Sequence, residues 1–211
     1  MFIVLDGIDL SGKSSQVKLL QQEFGSDENF LFLSDPGSTG LGLELRQILK
    51  EGVDGEQIDE RAEILLFTAS RAQLCNQVIL PAIEAGKTIV CDRFLASTIA
   101  YQGFGRGFSI QDINELHRRF CSSVTPNATF IFSIPKNVYI ERKNNEDRST
   151  EMADRFEDQD YEFTARVVSG YDQILLRPPS LGVGETIKID GTLSKEEINE
   201  TIKSYLVENR A

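Results

Sequence analysis

The sequence predicts an α/β fold, a three-layer, doubly wound sheet of five parallel strands, and two observations carry that reading. Five short, β-rich runs at residues 2–5, 30–33, 88–91, 129–134 and 186–189 are nearly continuous in apolar character, as strands covered on both faces must be. Helical patterning separates them, and such alternation implies β-α-β crossovers into one parallel sheet that binds ligands at the carboxyl ends of its strands.

Taken in order, the first strand stops at Asp6 and a glycine-rich turn leads into a helix over 16–24. The second strand, 30–33, precedes a helix that carries Arg46. A long helical pattern over 60–85 leads to the third strand, and Ser109 opens a helix over 111–120 with Asp112 as a weak capping box. Beyond the fourth strand lie helical patterns at 137–142 and 157–176, separated by a polar stretch, 143–153, without apolar periodicity. That stretch is either a solvated connection or a mobile lid. Ser194 and Glu197 form a clearer capping box for a last helix after the fifth strand. With no internal repeat or long low-complexity linker, the 211 residues suit a single domain, 1–211, with its lid over residues 143–154.

Composition narrows the function. With 22 basic against 33 acidic side chains the net charge is −11, which repels nucleic acid and anionic membrane surfaces. Any phosphate must therefore meet a local cluster of cations. The three cysteines, Cys75, Cys91 and Cys121, lack C-x-x-C spacing and suggest neither a disulfide framework nor a zinc site. A short first apolar run and no bilayer-length segment give the expectation of a soluble, cytoplasmic protein.

The residues Gly7, Ile8, Asp9, Leu10, Ser11, Gly12, Lys13 and Ser14, followed by Ser15, match G-x-x-x-x-G-K-[ST] between a strand and a helix. Glycines let successive N–H groups point at phosphate oxygens, and the helix adds the positive end of its dipole. Lys13 then neutralises β- and γ-phosphate charge, while Ser14 ligates Mg²⁺. The fold expectation becomes that of the P-loop NTP hydrolases; the same loop serves GTPase switches, mechanical ATPases and small-molecule kinases, so it does not by itself name the reaction. No N-K-x-D run of a guanine-selective switch is present.

The third strand ends in Asp92-Arg93-Phe94, followed by Ser97, Thr98, Tyr101 and Gln102. Asp92 suits Mg²⁺ and Arg93 suits a phosphate, although an Asp-Arg pair also serves as a helix cap. Phe67 and Arg71 share a helix face, an arrangement that fits a planar base by stacking and edge hydrogen bonds, or, for Phe67, simply a core position. Arg46 is a further phosphate contact or a solvated side chain. His117, the single histidine, stands beside Arg118 and Arg119 and is expected on the surface. Without a histidine base, an already ionised phosphate acceptor fits better than a hydroxyl.

The run Asp92-Arg93-Phe94-Leu95-Ala96-Ser97-Thr98-Ile99-Ala100-Tyr101-Gln102 resembles the signature of the thymidylate kinase family. Further matches are Asp35-Pro36-Gly37 with Thr39, Leu45-Arg46, Leu66-Phe67 with Ala69 and Arg71, Gly103 with Gly105-Arg106-Gly107, Asp154-Arg155-Phe156-Glu157 and Ile189-Asp190. The resemblance implies ATP and Mg²⁺, transfer to thymidine monophosphate, and a homodimer. It places thymine on Phe67 with Arg71 and Gln102 at its edges, Tyr101 against the sugar, Arg93 and Arg46 on the acceptor phosphate, and Asp9 near the sugar or metal. Asp35, Pro36, Ser97 and Thr98 complete the acceptor site. Some members carry a catalytic arginine in the phosphate loop; Leu10 stands there, so the lid supplies it, from among Arg142, Arg148 and Arg155, with Arg148 and Arg155 favoured. The chain departs from much of the family at Ser34, Asp35 and Ser38. Two rivals remain: a deoxynucleoside kinase with Asp9, Asp35 or Asp92 as base, and a nucleotide-binding module without catalysis.

Overall fold

A computed structural model describes residues 1–53, 56–145, 160–177 and 181–209. Its sheet has five strands: β1 (Phe2–Gly7), β2 (Phe30–Ser34), β3 (Thr88–Asp92), β4 (Ala128–Ser133) and β5 (Glu185–Asp190). They run in the order β2-β3-β1-β4-β5, every pair parallel. All five lie where apolar runs predict them. The register sets Asp92 level with Leu5 on one side and Ser34 on the other, so three strand ends open onto one place.

Strand alternation divides the core. Phe2 and Val4 face Ile64, Leu74, Ile113 and Val167, whereas Ile3 and Leu5 face Leu20, Ile198 and Ile202. The helices supplying the first group are α3 (Glu60–Leu74), α6 (Ile110–Phe120) and α8 (Tyr161–Leu176); the second comes from α1 (Lys13–Phe24) and α9 (Lys195–Asn209). The remaining helices are α2 (Gly40–Glu51), α4 (Leu80–Glu84), α5 (Leu95–Thr98) and α7 (Lys136–Asn145). Ser109 and Ser194 cap their helices as the sequence predicts: Ser109 Oγ accepts from Asp112 N, and Ser194 and Glu197 bond reciprocally. Strand β5 departs from the expectation of burial on both faces, because it is an edge strand with Lys188 exposed.

Two helices are wider than periodicity reveals. A π-turn, Cys75–Ile79, joins α3 to α4. The ring of Pro81 cannot sit against the carbonyl four residues back, and the helix widens just before it, with Leu80 N bonded to Cys75 O. A second π-segment, Ile99–Gly105, continues α5 and carries Tyr101 and Gln102, both buried. No helix is predicted there from the sequence.

Three further expectations meet the structure. His117 is buried rather than on the surface, 5% exposed, with Nε2 2.8 Å from Val124 O and its ring edge-on to Phe94. Its polar neighbours Arg118 and Arg119 point instead to Glu115, while the helix face that His117 occupies turns inward. Of the stretch expected as a lid, 143–154, residues 143–145 belong to α7, which extends to Asn145; the rest of it, with Arg148 and Arg155, lies outside the described residues. The three cysteines are buried and free. Among the described residues, no helix is long and apolar enough to cross a membrane.

Candidate active site

The phosphate loop follows from close backbone packing at the end of β1. A Cβ at Gly7 would lie 2.6 Å from Phe132 O, and Gly12, at φ +102°, holds the left-handed conformation from which α1 starts. Lys13 is only 4% exposed, and its Nζ donates to Ile8 O at 3.1 Å and lies 3.5 Å from Asp9 Oδ1. Burial lowers its pKa, helped by repulsion from Arg93, while Asp9, Asp92 and Asp6 pull the other way. Ser14 is exposed on the same cleft. Arg142 reaches back from α7, donating to Leu10 O at 2.7 Å and Gly191 O at 2.8 Å, and so ties the loop to the turn after β5.

A cleft of about 320 Å³ opens beside this loop. Asp9, Lys13, Ser14, Asp92 and Arg93 line it together with Phe67, Arg71, Thr98 and Gln102. Asp35, Pro36, Arg46, Ser97 and Tyr101 line it as well.

Arg93 reaches the cleft from a left-handed backbone, φ +66°, a conformation that costs a non-glycine residue roughly 1 kcal/mol or more. Its guanidinium donates to Gly7 O and Ser97 Oγ, each at 3.0 Å, forms a short ion pair with Asp9, and lies over the Tyr101 ring. Tyr101 Oη donates to the other Asp9 oxygen at 2.9 Å. Burial raises the Asp9 carboxyl, but Arg93, Lys13 and the Tyr101 hydroxyl outweigh it and hold the group below the ordinary carboxylate range.

Asp6, which the sequence does not single out, organises this cluster. Its Oδ1 accepts from Gly7 N, Ser97 Oγ and Tyr171 Oη, at 2.9, 2.6 and 2.7 Å. Its Oδ2 accepts from Phe94 N and Ser97 N at 3.2 and 3.0 Å, capping α5 from another element. In the sequence Asp6 is only the carboxylate that follows an apolar run, and neither its burial nor its partner Tyr171 is signalled there.

Asp92 Oδ1 is buried and without a hydrogen-bond partner among the described residues. With the Ser14 hydroxyl on the same cleft, this donor set suits a hard divalent cation. No group of three or more ligating side chains occurs among the described residues.

Phe67 is half-buried on the cleft wall. Arg71 is 3% exposed; its Nε donates to Asp35 Oδ2 and its Nη2 to Thr98 Oγ1, both at 2.6 Å. Burial pushes the Asp35 carboxyl up against the pull of Arg71. Arg46 Nη1 donates to Pro36 O at 2.9 Å. Of the candidate side chains among the described residues, Asp9, Lys13, Ser14, Asp35, Pro36, Arg46, Phe67, Arg71, Asp92, Arg93, Ser97, Thr98, Tyr101 and Gln102 line this one cleft, whereas Ser15 and Arg142 do not; the sequence offered no hint that Arg71 and Arg93 would each already hold a carboxylate.

A family model for thymidylate kinase matches residues 5–202. A thymidylate kinase of Kosmotoga olearia is 37% identical over 209 residues, spanning 98% of this chain and 96% of its own. One from Pelotomaculum thermopropionicum is 40% identical over 179 residues, 84% of this chain and 81% of its own. The crystal structure of thymidylate kinase from Ehrlichia chaffeensis superposes with a TM-score of 0.73 at 27% identity, covering 98% of each chain.

Proposed function

The chain belongs to the thymidylate kinase family and phosphorylates thymidine monophosphate to thymidine diphosphate; on that premise we propose which of its residues do so, and how. ATP lies along the loop from Gly7 to Ser15, whose amides face its phosphates, with Lys13 offsetting the β- and γ-charge. Ser14 and Asp92 hold Mg²⁺, which, when bound, neutralises and orients phosphate oxygens.

Thymine stacks on Phe67, with Arg71 and Gln102 at its edges and Tyr101 beside the sugar. Asp35, Pro36, Ser97 and Thr98 form the surrounding wall. Arg93, assisted by Arg46, takes the acceptor phosphate, which competes with Asp9 for the guanidinium. An acceptor oxygen attacks the γ-phosphorus as the bond to the β,γ-bridging oxygen breaks, leaving ADP. That oxygen is already ionised near neutral pH, so the site needs no proton-abstracting base. Positioning and cations carry the catalysis, with Arg148 and Arg155 supplying further charge. The protein works in the cytoplasm as a homodimer, for which the exposed leucines of α2 and α3, Leu41, Leu43 and Leu65, are candidate contacts.

One observation carries this reading: a single cleft is lined both by the Lys13 and Arg93 cations and by Phe67 and Arg71 of α3. A coupled assay across thymidine, uridine, cytidine and guanosine monophosphates is the test. The highest kcat/KM belongs to thymidine monophosphate, and a higher value for any other acceptor overturns the base assignment.

A further inference from the structure

Glu63 has no part in the scheme above, yet its side chain is fully buried on α3 behind the cleft wall. It is the centre of a compact polar network. Gln102 Nε2 donates to Glu63 Oε1 at 2.9 Å, and Arg106 donates through Nε to Oε1 at 3.4 Å and through Nη2 to Oε2 at 3.3 Å. Arg106 Nη1 also lies 3.5 Å from Glu60, and its guanidinium sits 4.5 Å from the Phe163 ring of α8. The pairing keeps Glu63 rigid and compensated.

The consequence lies in the amide of Gln102. An amide has one end that donates and one that accepts, and either can face inward by a half-turn of the side chain. A carboxylate only accepts. Next to Glu63 the amide must turn its Nε2 inward, and Oε1 is the end left for a ligand in the cleft. With Glu63 absent, both orientations become comparable.

We propose that Glu63 is a specificity-determining positioning residue: held by Arg106, it fixes the Gln102 amide so that the site presents an acceptor to the base and selects rings with a donor at N3. The proposal rests on the reading that the base lies against Gln102. Thymine and uracil carry an N3–H; cytosine has a bare N3 that would confront Oε1 lone pair to lone pair. Selection against cytosine is set by a residue that never touches the nucleotide, through a bond that orders its neighbour.

The test compares kcat/KM for the deoxynucleoside monophosphates of thymine, uracil and cytosine in the wild type, Glu63→Gln and Gln102→Ala. A glutamine at 63 can donate or accept, so Gln102 regains both orientations. In Glu63→Gln the thymine-to-cytosine ratio falls roughly tenfold, the worth of one net hydrogen bond. Thymine and uracil substrates lose efficiency together, through KM, while kcat holds. Equal losses for all three bases, or an unchanged ratio, overturn the proposal when Gln102→Ala lowers the ratio. An unchanged ratio in Gln102→Ala shows instead that Gln102 does not meet the base, and removes the reading beneath the proposal. Should Glu63→Gln fold poorly, the double variant Glu63→Gln/Arg106→Gln removes both charges together and reads the same ratio.

Discussion

A buried cation is stable only in company, and Lys13 is the residue in which this conflict is sharpest. It is 4% exposed, its nearest carboxylate oxygen is 3.5 Å away, and Arg93 adds repulsion. A lysine pKa lowered by folding means that the charged form costs stability below the folded pKa, and the cost fades as pH rises towards the unfolded value. Lys13→Met should therefore raise the melting temperature of the nucleotide-free protein by a few degrees at pH 7 and less at alkaline pH. The same change should lower kcat/KM by about a thousandfold or more. Scanning calorimetry with steady-state kinetics checks both. Asp9 has the opposite sign: its pKa is depressed, so its contribution is complete above the unfolded value, about 4, and disappears as pH falls through the folded one. Urea unfolding should show a stability gap between wild type and Asp9→Asn that is constant from neutral pH to about 5 and narrows in stronger acid. With Asp9 about a third exposed, that gap is modest. Lys13 and Ser14 were legible in the sequence because the phosphate loop is a local motif; Asp6 and Glu63 were not, since their partners stand 91 and 39 positions away.

Among the elements, the π-segment Ile99–Gly105 does most to shape the cleft. Its extra residue per turn turns Tyr101 and Gln102 inward on consecutive positions, and Arg106 N closes the segment on Tyr101 O. Helix α8 packs on it without clearance: a Cβ at Gly105 would lie 2.7 Å from Phe163 Cε2 and 3.1 Å from Val167 Cγ2. Gly105→Ala should cost about 1–3 kcal/mol by overpacking and raise KM for thymidine monophosphate. Urea titration and kinetics measure the two effects. Strands, helix caps and the long α3 pattern were visible in the sequence because each depends on residues a few positions apart. Neither π-segment was, since hydrophobic period cannot register one inserted residue, and His117 was misplaced because the charged neighbours Arg118 and Arg119 masked its inward face.

Across the whole molecule, the order β2-β3-β1-β4-β5 gathers positive groups into one cleft on a chain of net charge −11. On the proposed reading two anionic nucleotides share this cleft at the carboxyl ends of the strands, and their stabilising effects should separate. Thymidine monophosphate at a hundredfold over its dissociation constant should add about 2.7 kcal/mol, a shift of roughly 5–10 °C for a chain of this size. Phe67→Ala should abolish most of that shift and spare the shift with ATP and Mg²⁺, whereas Lys13→Met should do the reverse. Thermal-shift measurement of both variants with each nucleotide decides it; loss of both shifts in either variant would mean that the cleft does not divide as proposed.

By itself the sequence determined the strands, the phosphate loop, the family resemblance and therefore the reaction, because those signals are local patterns of residue type. Only the tertiary structure decided what each charged group faces: that Arg71 holds Asp35, that Arg93 holds Asp9, and that Glu63 orders Gln102. A chain read in one dimension lists its charges, and pairing them requires the distances that folding creates.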